Sequence, residues 1–336
     1  GAGAGAAGAR GGAGGGAWLV VNEAGGGGRA RRRWARAERA ARRALEARFG
    51  AVRAQLSLAP GHARELAARA AAEGAEVVVA VGGDGTVGEV INGLMAAAPP
   101  PTGCAARPAL GIVPLGSGND FARGLGWSGS VDAAVERIAA GGMRPVDVGR
   151  GDLGTLEQRS ADAAPAFRYF LNEVSMGLPA SVGVLVPRYK WLGATPGYKV
   201  ATVRAILTHR RCPVAVRADG RGPYVVEEPT ILTLANGQYF GSGMRVAPGA
   251  APDSGTLELV AIKGVGLGGF IRYEHLLKSG GHVETDFTDV SAVAEVELVA
   301  QGGPEGSYLL EADGDVIGGL PCAVTVLPGA INLAGW

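Results

Sequence analysis

Residues 77–94 read VVVAVGGDGTVGEVINGL, and this stretch decides the fold. Within AEVVVAV (75–81), Val77 to Val81 form an apolar run that is continuous rather than alternating, as in a strand buried on both faces of a parallel sheet. Gly82-Gly83-Asp84-Gly85-Thr86 follows and leads directly into a helical pattern. The three glycines let the backbone turn sharply and approach a ligand with no Cβ in the way, and the N–H groups of the helix start form a site for phosphate oxygens. An acid among them repels phosphate unless a divalent cation or a substrate proton lies between. That marks Asp84 as a candidate catalytic and metal-binding residue, against the plainer reading of a turn aspartate bonded to its own backbone. Thr86 and Glu89 have capping-box spacing, so Glu89 reads equally as a helix cap and as a site residue.

Outward from this turn, short β-type runs alternate with Ala-rich amphipathic stretches, the pattern of a parallel sheet with crossover helices. Residues 18–22 (WLVVN) open it, and 109–116 (ALGIVPLG) repeat the strand-to-turn transition. Helices are expected over 29–49, with Trp34, Ala41 and Leu45 on one face, over 61–73 and over 131–141. Nine arginines between Arg29 and Arg48 give the first of these a basic face, which reads as solvated or as apposed to anionic headgroups. Beyond Asp147 the texture becomes antiparallel: 167–175, 213–219, 230–236, 256–263, 293–300 and 323–328, with helical interruptions near 198–210 and 270–279. A β-sandwich or flattened barrel is expected there.

A length of 336 residues suits two domains, each with its own core. A net charge of only +1 argues against a protein that grips nucleic acid by bulk electrostatics. Three scattered cysteines offer neither a disulfide framework nor a C-x-x-C metal site, and the four histidines lack metal-ligand spacing. No run of eighteen apolar residues offers a membrane span. The opening GAGAGAAGARGGAGGG is too poor in side chains to pack, so residues 1–16 are expected as a disordered tail. GVGLGG at 264–269 fits a dinucleotide-loop pattern, but it lies in the antiparallel half of a chain with 58 glycines and is discounted.

GGDGTVGEVINGL resembles the phosphate-binding motif of the diacylglycerol, ceramide and sphingosine lipid kinase superfamily, and PLGSGNDFARGLG (114–126) resembles its second motif. The likeness continues in order through FLNEVSMG (170–177), ANGQYFGSGMRVAPGAAPDSGTLEL (235–259) and EADGDVIGGLPCAVTVLPGA (311–330), and is nearest to plant sphingoid long-chain base kinases of the small, bacterial-like type. The resemblance implies an N-terminal doubly wound α/β domain of the NAD kinase and phosphofructokinase kind over 17–147, rejoined by 328–336. A C-terminal antiparallel β-sandwich domain over 148–327 would take the lipid.

It also implies ATP and Mg²⁺ as cofactors. Gly82, Gly83, Asp84, Gly85 and Thr86 would hold the phosphates and metal, with Glu89 beside them. Gly116, Ser117, Gly118, Asn119 and Asp120 would form the facing wall, and Asn22 would lie near the nucleotide. Asp313 would be the general base, Asp315 a nucleotide contact, and Asp253 the holder of a second, structural Mg²⁺.

The implied activity is phosphorylation of a hydroxyl on a sphingoid base or diacylglycerol at a membrane surface, with no nucleic-acid partner and with a homodimer left open. An intracellular place follows, either a mitochondrion or chloroplast or the cytoplasm with peripheral membrane association. Several positions depart from the family pattern: Glu23 in place of Pro, Ser117 in place of Thr, Ser242 within a Gly-Gly-Gly-Met run, and Asp315 in place of Glu. Two alternatives stand beside the lipid kinase, a NAD kinase and a catalytically silent nucleotide-binding regulator; LGSGNDFAR favours the lipid enzymes over the first. Met176, Tyr189 and Trp191 are candidates for lipid contact that read equally as core.

Overall fold

The computed structural model describes residues 15–24, 28–97, 107–127, 129–154, 166–209, 211–302 and 308–336. The expected N-terminal tail falls almost entirely outside them. Four parallel strands open the fold in the order β2-β1-β3-β4, formed by Val52–Leu56, Ala17–Val21, Val77–Gly82 and Ala109–Pro114. The apolar run at 77–81 lies in the middle of this sheet because both its faces are covered. Helices α1 (Arg29–Phe49) and α5 (Val131–Ala140) pack on one face, and α2 (His62–Ala72) and α3 (Asp84–Ala96) on the other. In α1, Trp34, Ala41 and Leu45 are buried as their spacing requires.

The chain leaves β1 toward one edge of the sheet and returns through β3 toward the other. A crevice therefore opens at the carboxyl ends of β1 and β3, the place where open α/β sheets take ligands. Asn22 and Gly82-Gly83 stand at those two ends.

Strand β5 (Met143–Leu153) pairs along its length with β16 (Cys322–Ala334), and β16 touches β4 through Leu333 opposite Leu110. The first sheet thus continues through β16, β13 (Glu295–Ala300), β8 (Val214–Ala218) and β9 (Tyr224–Val226), with β6 (Phe167–Phe170) paired to β5. Six strands form a second sheet in the order β12-β11-β10-β7-β14-β15: Thr288–Val293, Leu257–Lys263, Pro229–Ala235, Glu173–Gly177, Leu309–Ala312 and Asp315–Gly319. One face packs on the extension of the first sheet around Phe170, Met176, Leu232, Leu298 and Val324, which makes the expected sandwich. The other face carries helices α6 (Leu178–Tyr189), α7 (Ala194–Thr208) and α8 (Leu267–Ser279) around Leu178, Val182, Ala201 and Ile231.

Three expectations change. The proposed boundary at 147 falls inside β5, because one strand serves both halves. The run 167–175 is two strands, not one, and they belong to different sheets. Helix α6 adds to the two helices expected in this half: LPASVGVLVPRY carries three valines, a glycine and two prolines, and burial of Leu178, Ala180 and Val182 overrides that weak propensity.

Candidate active site

The glycine turn after β3 sets α3 in motion at Asp84, with Thr86 and Val87 N–H both donating to the Gly83 carbonyl. A second turn follows β4, and the two meet backbone to backbone: a Cβ built on Gly116 would lie 2.5 Å from Gly83 Cα. No residue with a side chain fits either place. Asn119, at φ 51, closes the second turn by accepting from Gly116 N–H at 2.8 Å and donating to the Gly116 carbonyl at 3.0 Å. Gly85 and Ser117 are exposed, and the space above Gly85 is open. Asn22 Nδ2 donates to Thr86 Oγ1 at 3.1 Å, tying the end of β1 to α3.

Asp120 starts the short helix α4 (Asp120–Gly124), and its backbone N–H donates to Asp84 Oδ1 at 2.8 Å. Its own carboxylate accepts from Ser242 N–H at 2.9 Å, which ties the second motif to the loop after β10. A Cβ on Gly118 would sit 3.0 Å from Asp84 Oδ2 and 3.2 Å from Asp120 Oδ2, so the two carboxylates share one small space. Burial raises the Asp84 carboxyl above its ordinary range. Burial and the Asp84 charge push Asp120 up to about 6. Asp120 Oδ1 is buried with no hydrogen-bond partner, and Arg123 Nε stands 3.7 Å away. Two crowded carboxylates and an orphaned oxygen are the donor set that a divalent cation satisfies.

Asp313 comes from the far half of the chain, in the β14–β15 turn at φ 49. Oδ1 accepts from Asn172 and Glu173 N–H at 3.0 Å each, and Oδ2 from Leu171 N–H at 2.9 Å. These three amides are where the chain crosses from β6 to β7, so this carboxylate explains the split of the single strand read over 167–175. Asp313 lies against α3, 3.4 Å from where a Cβ on Gly88 would stand. Burial lifts it to about 7 against the three amides, with the Asp84 charge adding to the rise. The structure therefore brings together Asp84, Asp120 and Asp313 from three distant segments.

Other candidates are placed differently. Glu89 neither faces the phosphate turn nor closes a capping box on α3, whose first residue is Asp84. Its oxygens accept from Gly61 and Ala63 N–H at 2.8 and 3.0 Å and cap α2, whose own start offers only glycine. Asp315 is half-exposed and faces Arg168 at 3.7 Å. Asp253 is ion-paired with Arg144 at 3.0 Å. Met176 is fully buried between the two sheets, whereas Trp191 is 79% exposed.

A second buried acidic group escaped the sequence reading. Glu173 on β7 and Glu311 on β14 hydrogen-bond to each other, with Ser175 Oγ donating to Glu311 at 2.8 Å. Burial raises both, and the charge of Glu311 raises Glu173 further. Tyr198 on α7 is pushed up to about 12 by burial and by the charges of Glu311, Asp120 and Glu173. Strict alternation puts Glu173 with Ser175 on one face of β7, the periodic signal in the sequence that points to this group.

A family model described as "Diacylglycerol kinase catalytic domain" matches residues 16–151, and one described as "YegS C-terminal NAD kinase beta sandwich-like domain" matches 172–335. The chain is 26% identical to a diacylglycerol kinase of Mycobacterium tuberculosis over 81% of its length and 80% of that protein. It is 34% identical to "Probable lipid kinase YegS-like" of Chromohalobacter salexigens over 60% of this chain and 59% of the other. The fold matches the crystal structure of a diacylglycerol kinase from Bacillus anthracis with a TM-score of 0.63 at 20% identity, covering 95% of this chain and 96% of that one. These relatives are bacterial and lend no support to an organelle location or to the plant long-chain base kinases in particular. With both matched regions in order along one chain, and the two glycine turns of the first facing an aspartate of the second, the protein belongs to the lipid kinases that join a diacylglycerol kinase catalytic domain to a YegS-type C-terminal domain.

Proposed function

We propose that this kinase transfers the γ-phosphoryl group of ATP to a primary hydroxyl of a sphingoid long-chain base. The observation that carries the reading is the meeting of Asp84, Asp120 and Asp313 at the mouth of the two glycine turns. The open faces of Gly85 and Ser117 and the start of α3 suit the nucleotide phosphates. Asp84 and Asp120 would hold Mg²⁺, which neutralises phosphate charge when bound.

Asp313 is suited to take the acceptor's proton. Oδ1 already accepts two N–H groups and Oδ2 only one, so Oδ2 has capacity to spare. As the hydroxyl oxygen bonds to phosphorus and the bond to the departing ADP oxygen breaks, the hydroxyl proton passes to Oδ2. A group near pH 7 suits that task, and such catalysis is worth roughly 10²–10⁴-fold.

The choice of acceptor rests on charge. Glu173, beside Asp313, and Glu311 and Asp120, near Tyr198, gather acidic groups around this site. An ammonium group beside the reacting hydroxyl offsets that repulsion, and a neutral diacylglycerol does not. The names of the bacterial relatives favour diacylglycerol as the second reading.

The test is transfer of labelled phosphate from Mg·ATP to sphingoid bases, diacylglycerols and NAD⁺. Preference for the long-chain base, lost in Asp313→Asn, is expected. Preference for diacylglycerol selects the second reading; phosphorylation of NAD⁺ alone, or of nothing despite ATP binding, overturns both.

A further inference from the structure

Helix α7 is apolar on both faces. Tyr198, Ala201 and Ala205 point inward, toward the acidic site and the helical core, while Val200, Val203 and Leu207 form an outward stripe at helical spacing. Leu207 is 67% exposed. Val184 on α6, Trp191 in the turn between α6 and α7, and Ile271 on α8 are exposed as well, so one helical layer gathers six of the large apolar side chains left open to water. A helix that is apolar all round ordinarily has both faces covered.

The charge of this layer says by what. From Val174 to Ala218 the sequence runs 45 residues without an Asp or Glu, and carries seven Lys and Arg. Arg188, Lys199 and Arg204 are exposed on α6 and α7, with no ion pair among the described residues. Across the three helices the exposed cations Arg188, Lys199, Arg204, Arg272 and Lys278 face a single acid, Glu274, already paired with Lys278, so a second copy docked about a two-fold axis would set like charges together. A negatively charged bilayer surface answers both features, taking aromatic and aliphatic side chains at the acyl boundary and cations among its headgroups.

We propose that the outer face of α6, α7 and α8 is the membrane-docking surface, and that its occupant is an anionic lipid bilayer. Docked this way, the enzyme rests on the helices whose inner faces cover the Glu173–Glu311 pair. A lipid leaving the bilayer then has the thickness of one helical layer to cross before its hydroxyl meets Asp313. On the arginine-rich α1, by contrast, no large apolar side chain stands exposed, and Arg31, Arg42 and Arg48 are paired with Glu23, Glu38 and Glu76. This inference rests on the acceptor being a membrane lipid.

The experiment is co-sedimentation of the full chain with phosphatidylcholine vesicles, with or without phosphatidylserine. Kinase assays run in parallel, on vesicle-borne acceptor and on a short-chain acceptor soluble as monomer. The wild-type chain is expected to bind the anionic vesicles preferentially. Leu207→Gln with Val203→Ser should lose at least about tenfold in vesicle partition, since a Leu side chain leaving an apolar phase costs roughly that factor. Activity on vesicle-borne lipid should fall in parallel while activity on the monomeric acceptor is kept. Because both residues are exposed, folding is checked simply by an unchanged Tm. Arg204→Ser should weaken binding to anionic vesicles and leave the weak binding to neutral ones alone.

Vesicle binding unchanged in the Leu207 and Val203 variant overturns the proposal. So does a loss seen instead on replacing α1 arginines, or a wild-type dimer that the same variant dissociates. If vesicles bind as expected but no lipid is phosphorylated, the acceptor assignment fails while the docking face stands.

Discussion

Replacing Asp313 with Asn separates the two tasks this carboxylate performs. An amide keeps the shape and can keep the oxygen that accepts from Asn172 and Glu173 N–H. Its nitrogen then points at Leu171 N–H, donor against donor, where Oδ2 now accepts at 2.9 Å. A buried donor left without an acceptor costs about 1–3 kcal/mol. The loss of the proton acceptor is a separate and larger effect, roughly 10²–10⁴-fold in kcat.

The wild-type pH profile gives the second reading. Burial, the three amides notwithstanding, puts Asp313 at about 7, so kcat/KM should fall tenfold per pH step below that value and level above it. Stability moves the other way. A carboxyl raised from 3.8 to about 7 binds a proton more readily folded than unfolded. Its stabilising share is thus full below the unfolded value and lost as pH rises through about 7. In Asp313→Asn that part of the slope should vanish, seen as a flatter Tm between pH 5 and 8. If the variant retained kcat within threefold, or if the acid limb survived in its residual activity, Asp313 would not be the base.

Gly116→Ala puts a Cβ 2.5 Å from Gly83 Cα and 2.9 Å from Asn119 Oδ1, forcing the two phosphate turns apart; ATP affinity by calorimetry should drop about tenfold, and an unchanged affinity would deny that these turns hold the nucleotide. Glu89→Ala uncaps α2 and should cost about 1–2 kcal/mol by denaturant titration while leaving KM for ATP untouched; a raised KM at constant stability would return Glu89 to the nucleotide site. Glu311→Gln removes one of two coupled buried carboxyls that burial raises, so the variant should gain stability over wild type as pH rises above the ordinary carboxylate range, and should weaken discrimination for the long-chain base over diacylglycerol. Equal pH slopes in the two proteins would show that the pair does not titrate in this range.

The parallel half was legible because its signals are local. An unbroken valine run specifies a strand covered on both faces, and Trp34, Ala41 and Leu45 recur at helical spacing on α1. What escaped depends on distant partners. Glu89 sits at capping-box distance from Thr86, yet its oxygens serve the start of α2, which precedes it by 26 residues or more. The break between β6 and β7 has no turn residue stronger than Asn172 to announce it. It is made by a carboxylate some 140 positions later that gathers three consecutive amides. Helix α6 carries valines and a proline that locally favour other structure, and only the second sheet beneath it decides the matter. Asp84 stands out by its place among glycines, and Asp120 and Asp313 by motif likeness, whereas their crowding, and the orphaned oxygen of Asp120, exist only once the turns meet.

The junction between the halves also bears on how the enzyme selects its lipid. Asp84 belongs to the parallel sheet and Asp313 to the second one, so phosphoryl transfer needs both halves in register. Two antiparallel strands, β5 and β16, run across that junction paired from Met143–Ala334 to Leu153–Cys322, interrupted by a single irregularity near Leu327. Asp147 on β5 adds to the splice, accepting from Gly255 and Gly329 N–H at 2.6 and 2.8 Å. Opening the cleft by rotating one half would break this ladder, a cost far above the few kcal/mol that drives ordinary domain closure. The helical layer of α6 and α7 is joined to the sheet by side-chain packing, Leu178, Val182, Ala201 and Ala205 within it, rather than by strand pairing. Substrate entry is governed where the protein is least interlocked, and that is the face turned toward the membrane.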